Sequence, residues 1–232
     1  MKPSILWTVL ATSFLLIGCT SDLDYCLSGR VAVKKITACT RVIESGNLSS
    51  EDLAIAHYRR GESYAADDDY EMAIADYTKA IESGDLSGEK LRDAYYGRGR
   101  VYGRKVIRLT FRDPGNAQEL ENQLDLAIAD YTKVIELDPA AYLVEHIYID
   151  RGKFYEKKGN LDLAFADYTK AIEVDPDEYT YLRRGNAYAD QGKHDLAIAD
   201  YTKAIEIDSD YDSRSRWLRD NRTAQGWRSG CK

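Results

Sequence analysis

Few residues in this chain combine the type and the spacing that chemistry needs. Ser87-Gly88-Glu89-Lys90 matches the S-x-x-K spacing in which a lysine activates a serine nucleophile, but it falls in a turn between two repeated blocks and no K-T-G segment accompanies it. Gly97-Arg98-Gly99 with Gly103 comes near the glycine pattern that cradles a pyrophosphate, misses its spacing by one residue, and sits in a helical pattern rather than after a strand. Asp208, Asp210 and Asp212 open like a calcium loop, yet Ser213 stands where the sharp turn needs Gly and Arg219 where a bidentate Glu belongs, so the triplet reads as an acidic turn. His57, His146 and His194 are scattered, and no pair has metal-ligand spacing. The expectation is a chain with no catalytic residues, no metal and no cofactor, hence not an enzyme.

The remaining reactive side chains are four cysteines, at 19, 26, 39 and 231. Cys19 closes the only long apolar run, Ile5–Gly18, which is shorter than the roughly 20 residues a spanning helix requires and follows Lys2, as in a signal-peptide core. Leu16-Ile17-Gly18-Cys19 resembles the bacterial lipobox. That resemblance implies cleavage after residue 18, a diacylglycerol on Cys19, and, with Thr20 rather than Asp next, an outer-membrane address. Plain cleavage near Ser21 and an uncleaved segment stay open beside it. The expected location is therefore exported, either periplasmic or held at the outer membrane, with the N-terminal lipid as the only membrane contact.

The elements that must position everything else are helices. The 232 residues are 44% hydrophobic, with only 4 Pro, and a net charge of −7 without a long basic run disfavours nucleic acid as a partner. Charge is uneven: from Asp212 to Lys232 six basic residues face two acidic ones. One block recurs almost letter for letter, EMAIADYTKAIE at 71–82, DLAIADYTKVIE at 125–136, DLAFADYTKAIE at 162–173 and DLAIADYTKAIE at 195–206. Its Ala197, Ile198, Tyr201, Ala204 and Ile205 form a single helical stripe. Upstream of each copy stands Arg-Gly-x-x-Tyr, at Arg60 to Tyr64, Arg98 to Tyr102, Arg151 to Tyr155 and Arg184 to Tyr188. Each repeat is thus two helices joined by a short turn.

Gly, then Tyr three residues on, Ala at twelve and Tyr at sixteen, with Pro139 and Pro176 closing two copies, resembles the tetratricopeptide repeat family over about residues 54–211. The resemblance implies an all-α, right-handed superhelix of antiparallel helix pairs, in which aromatics fill the gaps left by small residues; the 18 Tyr are then packing residues. The opening Trp-Leu positions and two of the closing prolines depart from the family pattern without threatening the fold. Laid over residues 19–53, the block gives a degenerate first repeat in which Cys39 takes the place of Tyr77 and Cys26 that of Tyr64. These positions face each other within a repeat, so an exported chain would join Cys26 and Cys39 in a disulfide; two buried free thiols are the alternative. Cys231 is left as an exposed thiol, a dimer bridge or a partner for an unlipidated Cys19.

Gly61 to Ala73, Gly152 to Ala164 and Gly185 to Ala197 are 12 apart, but Gly99 to Ala127 is 28, an insertion of 16. Val106, Ile107, Leu109 and Phe111 continue the first helix, Asp113-Pro114-Gly115-Asn116 turns, and Leu120 and Leu124 lead into the second. Both helices should grow by about two turns and project as a hairpin over about 106–123. Leu109 and Phe111 are its candidate contacts with a partner or a membrane; a neutral elongation packed on itself is the alternative. Residues 212–232, with Trp217 and Leu218, read as a capping helix and tail.

Arg60, Arg98, Arg151 and Arg184 recur with Asp76, Asp130, Asp167 and Asp200, suggesting ion pairs from the Asp of one repeat to the Arg of the next, or else arginines that face the groove and bind acidic peptide ends. In the family, ligands lie in the concave groove lined by first helices. Carried over, its binding positions include Tyr58 and Glu62, Tyr96 and Arg100, Lys153, Tyr179 and Asn186. The family's Lys and Asn clamp for a C-terminal carboxylate is matched only at Asn186. Two functions follow as expectations: a scaffold for protein or peptide partners in the bacterial cell envelope, or a self-assembling structural envelope protein that forms homo-oligomers.

Overall fold

The computed structural model describes residues 21–28, 32–113, 115–141 and 144–207. The signal segment with Cys19 (residues 1–20), and the acidic turn at 208–212, the expected capping helix and tail at 212–232 and Cys231 (all within 208–232), lie outside the described residues. Among those described there are ten helices and no strand: α1 (Asp22–Ser28), α2 (Ala32–Ser45), α3 (Ser50–Ala66), α4 (Tyr70–Glu82), α5 (Gly88–Arg112), α6 (Ala117–Leu137), α7 (Val144–Lys157), α8 (Leu161–Val174), α9 (Glu178–Asp190) and α10 (His194–Ile207). Short polar residues start several of them. Ser49 Oγ accepts from the Asp52 N–H at 3.1 Å, Asn116 Oδ1 from the Glu119 N–H at 3.2 Å and Asp177 Oδ1 from the Thr180 N–H at 3.0 Å, satisfying donors that have no partner within the helix. Gly159 (φ +78°) and Gly192 (φ +72°) follow α7 and α9 in the left-handed conformation that ends a helix.

The helices pair antiparallel, α3 with α4, α5 with α6, α7 with α8 and α9 with α10, and each pair packs on the next in a superhelical stack. One contact sets the pairing distance. The Gly of each Arg-Gly motif faces the Tyr ring of the recurring block: a Cβ on Gly61 would stand 3.2 Å from Tyr77, on Gly152 2.7 Å from Tyr168 and on Gly185 2.9 Å from Tyr201. At Gly152 and Gly185 only hydrogen fits, and at Gly61 a Cβ would press on the ring, so the first helix lies directly on the aromatic face of the second. The block's alanines complete the seam, with Ala73, Ala80, Ala127, Ala164, Ala171 and Ala204 fully buried.

The recurring ion pairs run differently from the expected repeat-to-repeat ladder. Each Arg holds the Asp of its own repeat with two bonds: Arg60 to Asp76 at 2.7 and 2.9 Å, Arg98 to Asp130 at 2.9 and 2.8 Å, Arg151 to Asp167 at 2.8 and 2.7 Å, Arg184 to Asp200 at 2.9 and 2.8 Å. The third bond crosses to the preceding repeat, where the guanidinium donates to the hydroxyls of Thr40, Thr78, Thr132 and Thr169 at 2.8 to 3.0 Å. The arginines therefore staple three helices and do not line the groove. They have this reach because the adjacent Gly has already brought Asp and Arg together.

At the amino end α1 and α2 are joined by a disulfide between Cys26 and Cys39, both fully buried, which packs with Ala38 and Ala56. In the second repeat α5 has 25 residues against 17 in α3, and α6 has 21 against 13 in α4. The two helices grow equally, by about 12 Å each at 1.5 Å per residue. Val106 and Leu124 are buried where the extension begins, while Phe111 near its tip is 81% exposed. Leu109 is half-buried in a recess lined by Tyr70, Lys105 and Arg112, and Phe111 borders an adjoining recess that shares Tyr70 and Arg112 with it. No helix among the described residues is long and apolar enough to cross a membrane.

Candidate functional site

With the repeat Arg, Asp, Gly and Tyr consumed by packing, the side chains left for recognition are those on the open faces of α3, α5, α7 and α9. The expected groove residues fall into two zones. At the amino end the Tyr58 hydroxyl donates to Glu62 at 3.0 Å, Arg59 reaches the same carboxylate at 2.9 Å and Lys35 of α2 approaches it at 3.7 Å. Burial, reinforced by Glu62, pushes the Tyr58 phenol well above its ordinary value, so this zone carries no ionisable phenol near neutral pH.

The second zone is cationic. Arg100 lies over the Tyr96 ring at 5.5 Å, and Tyr179 is flanked by Lys153 at 5.1 Å and Arg183 at 5.2 Å, with Arg183 Nε donating to the Tyr179 hydroxyl at 3.1 Å. Burial pushes Lys153 down, but Asp150 and the Tyr179 hydroxyl outweigh it, so its ammonium titrates above the ordinary lysine value; Arg183 is likewise held charged beside Tyr179. Arg100 and Lys153 open into one cleft of about 730 Å³ between α5, α7 and α9. Its floor is aromatic, with Tyr131 and Phe154 stacked at 5.8 Å, and its overhanging wall is the elongated end of α5, including Ile107 and Phe111. Gly103 makes the floor possible, since a Cβ there would stand 2.7 Å from Phe154 Cζ. Asn186 is exposed farther along and accepts from the Tyr201 hydroxyl at 2.6 Å, a bond that engages its side-chain oxygen.

Arg104, Ile107, Lys157 and Arg183 belong to this cleft although the family positions did not point to them. The signal is nonetheless in the sequence. Arg100, Arg104, Ile107 and Phe111 stand at i, i+4, i+7 and i+11 on one helix, and Lys157 and Arg183 lie one turn beyond Lys153 and Tyr179. Counting family positions within a standard repeat stops before the extension; following the helix face through it does not. No group of three or more metal-ligating side chains occurs among the described residues.

Family models described as tetratricopeptide repeat match residues 54–83, 115–140, 145–178 and 179–211, together just over half of the chain. The unmatched gap holds α5, the helix that the insertion lengthens. No curated protein sequence matches the chain. Similar solved structures include a crystal structure of MamA (21% identity, TM-score 0.61, covering 77% of this chain and 89% of that one) and MamA 41-end from Desulfovibrio magneticus RS-1 (18%, 0.62, 82% and 93%). A third is YrrB, described as a TPR protein with an unusual peptide-binding site (21%, 0.61, 81% and 84%). At these identities the likeness is one of fold.

Proposed function

The chain belongs to the tetratricopeptide repeat family, and on that premise we propose that it is a non-catalytic scaffold that holds protein or peptide partners in the groove of α3, α5, α7 and α9. The observation that carries this reading is the division of labour among side chains. The invariant Arg, Gly, Asp and Tyr of the repeat are taken up in helix pairing and the invariant Lys of the DYTK block is exposed on the second helices, whereas the residue after each motif Gly varies from copy to copy, as Glu62, Arg100, Lys153 and Asn186, along the open face of the first helices. Variation confined to a continuous surface is what recognition requires, because a rigid stack presents different chemistry at each step.

The setting we propose is the bacterial cell envelope, with the chain exported and anchored by a lipid on Cys19. The lipobox-like Leu16–Cys19 supports it, and so does the Cys26–Cys39 disulfide, a bond that persists in oxidising compartments. Intact mass of the mature chain tests the anchor: a diacylated mass beginning at Cys19 is expected, and a lipid-free mass beginning at Asp22 overturns it. Affinity capture from crosslinked cells tests the scaffold, comparing the intact chain with a groove variant (Arg100→Ser with Tyr179→Ser) and a convex-face variant (Lys133→Ser with Lys170→Ser). Partners lost from the groove variant alone are expected. Partners retained by the groove variant move recognition elsewhere, and recovery of the chain alone favours self-assembly.

A further inference from the structure

We propose that the cleft beneath the overhanging end of α5 selects one class of partner: an acidic protein segment that carries an apolar or aromatic side chain. This inference rests on the scaffold reading and specifies its ligand.

The first observation is charge without a counter-charge. In a chain of net charge −7, the cleft gathers Arg100, Arg104, Lys153, Lys157 and Arg183 against only Asp150 and Glu156. Those two carboxylates are engaged, Asp150 with Lys153 at 3.0 Å and Glu156 with the Tyr168 hydroxyl at 2.6 Å. Arg104 is paired with Asp68 at 3.2 Å, whereas Arg100, Lys157 and Arg183 have no carboxylate within 4.0 Å among the described residues, unlike the repeat arginines and Lys105 on the same helices. The guanidinium groups of Arg100 and Arg183, which line the cleft, are held over Tyr96 and Tyr179 and so oriented in advance. They favour carboxylates, which they bind in a forked geometry.

The second observation is an exposed apolar lip beside those cations. Phe111 is 81% and Ile107 58% exposed, one turn apart on the part of α5 that has no neighbouring repeat to cover it. A helix extended only for its own packing would place polar residues there. Together with the Phe154 floor they make a slot for one large apolar side chain, next to fixed positive charge. A basic segment is repelled from this cleft, and a purely apolar one leaves its cations desolvated and unpaired.

The test uses fluorescence anisotropy with a fluorescein-labelled twelve-residue peptide of Asp, Glu and Ser around a central Phe-Leu pair. Two comparison peptides replace the acids with Lys or the Phe-Leu pair with Ser-Ser. The acidic apolar peptide should bind at least about tenfold more tightly than either, and more weakly as salt rises, since screening acts on the charge half of the contact. Arg100→Glu with Lys157→Glu should weaken it at least about thirtyfold and Phe111→Ser about tenfold. Lys133→Glu with Lys170→Glu, the same charge change on the convex face, should leave it unchanged. All the substituted residues are exposed or half-exposed, so circular dichroism melts should coincide with the parent and separate recognition from folding. Equal binding of acidic and basic peptides, or insensitivity to the cleft reversals, overturns the acidic preference. The scaffold reading then survives if the groove variant still loses its captured partners. Sedimentation showing that the cleft reversals abolish self-association, with no peptide bound, overturns the proposal in favour of a second copy as occupant.

Discussion

Arg151→Met should destabilise the array far more than a lost surface ion pair would. Arg151 places two short bonds on Asp167, whose side chain is 6% exposed, and a third on Thr132 at 2.9 Å. A methionine fills much of the same volume but leaves a buried carboxylate without a counter-charge, a loss of about 3 to 5 kcal/mol. Restoring neutrality reverses most of it: in Arg151→Met with Asp167→Leu the penalty should fall to about 1 to 2 kcal/mol, chiefly the bond to Thr132 and imperfect packing. The pH dependence supplies an independent check. Burial already holds Asp167 above the ordinary carboxylate value despite its guanidinium partner. Without that partner the folded-state value rises further above the unfolded one, so the defect is complete above the raised folded value and shrinks as pH falls through it. Urea unfolding followed at 222 nm should therefore show the single variant approaching the parent as pH falls toward the unfolded carboxylate value near about 4, with no such convergence for the double variant. A single variant that loses less than about 1 kcal/mol, or a double variant no more stable than the single, refutes the three-helix staple.

Three other outcomes follow. Gly152→Ala gains helix propensity of about 1 kcal/mol yet should lower stability by at least about 1 to 2 kcal/mol net, because its Cβ meets the Tyr168 ring at 2.7 Å; thermal melts check the sign. Replacing Cys26 and Cys39 by Ser should remove about 3 kcal/mol from the terminal helix pair, read as faster amide exchange in α1 and α2 with α9 and α10 unchanged. For Asp76, burial pushes the carboxyl up but bonds from Arg60 and His57 outweigh it and hold it below the ordinary value; its stabilisation is complete above the unfolded value near about 4 and is lost as pH falls through the folded one. An Asp76→Asn variant should accordingly be less stable at pH 7 but show a shallower acid limb in pH-dependent melts.

The paired helices of the repeat and the lengthening of the second pair were legible because they are carried by short-range signals: the recurring DYTK block, the turn at Asp113 to Asn116, and the apolar residues that continue through Phe111. The partner of each arginine was not. In a periodic chain Asp130 is an equally regular partner for Arg98 or Arg151, and no spacing breaks that tie. What breaks it is the missing Cβ of the neighbouring glycine, which draws the two helices of one repeat closer than the helices of adjacent repeats. The groove was legible residue by residue but not as a cleft, because its wall comes from the length of α5 relative to its neighbours, a property of the stack rather than of any single position. Leu109 and Phe111 are two residues apart on one helix, and only the structure shows that Leu109 is half-buried while Phe111 is exposed.

The bond from each arginine to the threonine behind it also bears on how such a chain can change over generations. Thr132 donates to Ile128 O and accepts from Arg151, so both sides of its hydroxyl are used; Thr202, the last of the series, donates to Ile198 O and has no arginine on its acceptor side among the described residues. Every unit thus brings one guanidinium and offers one hydroxyl. An in-frame duplication or loss of a whole unit re-forms the same joint at the new boundary, whereas a gain of half a unit leaves a buried carboxylate without its cation. Heritable length variation is channelled into whole steps, and the near-identity of the four blocks is the trace such copying would leave.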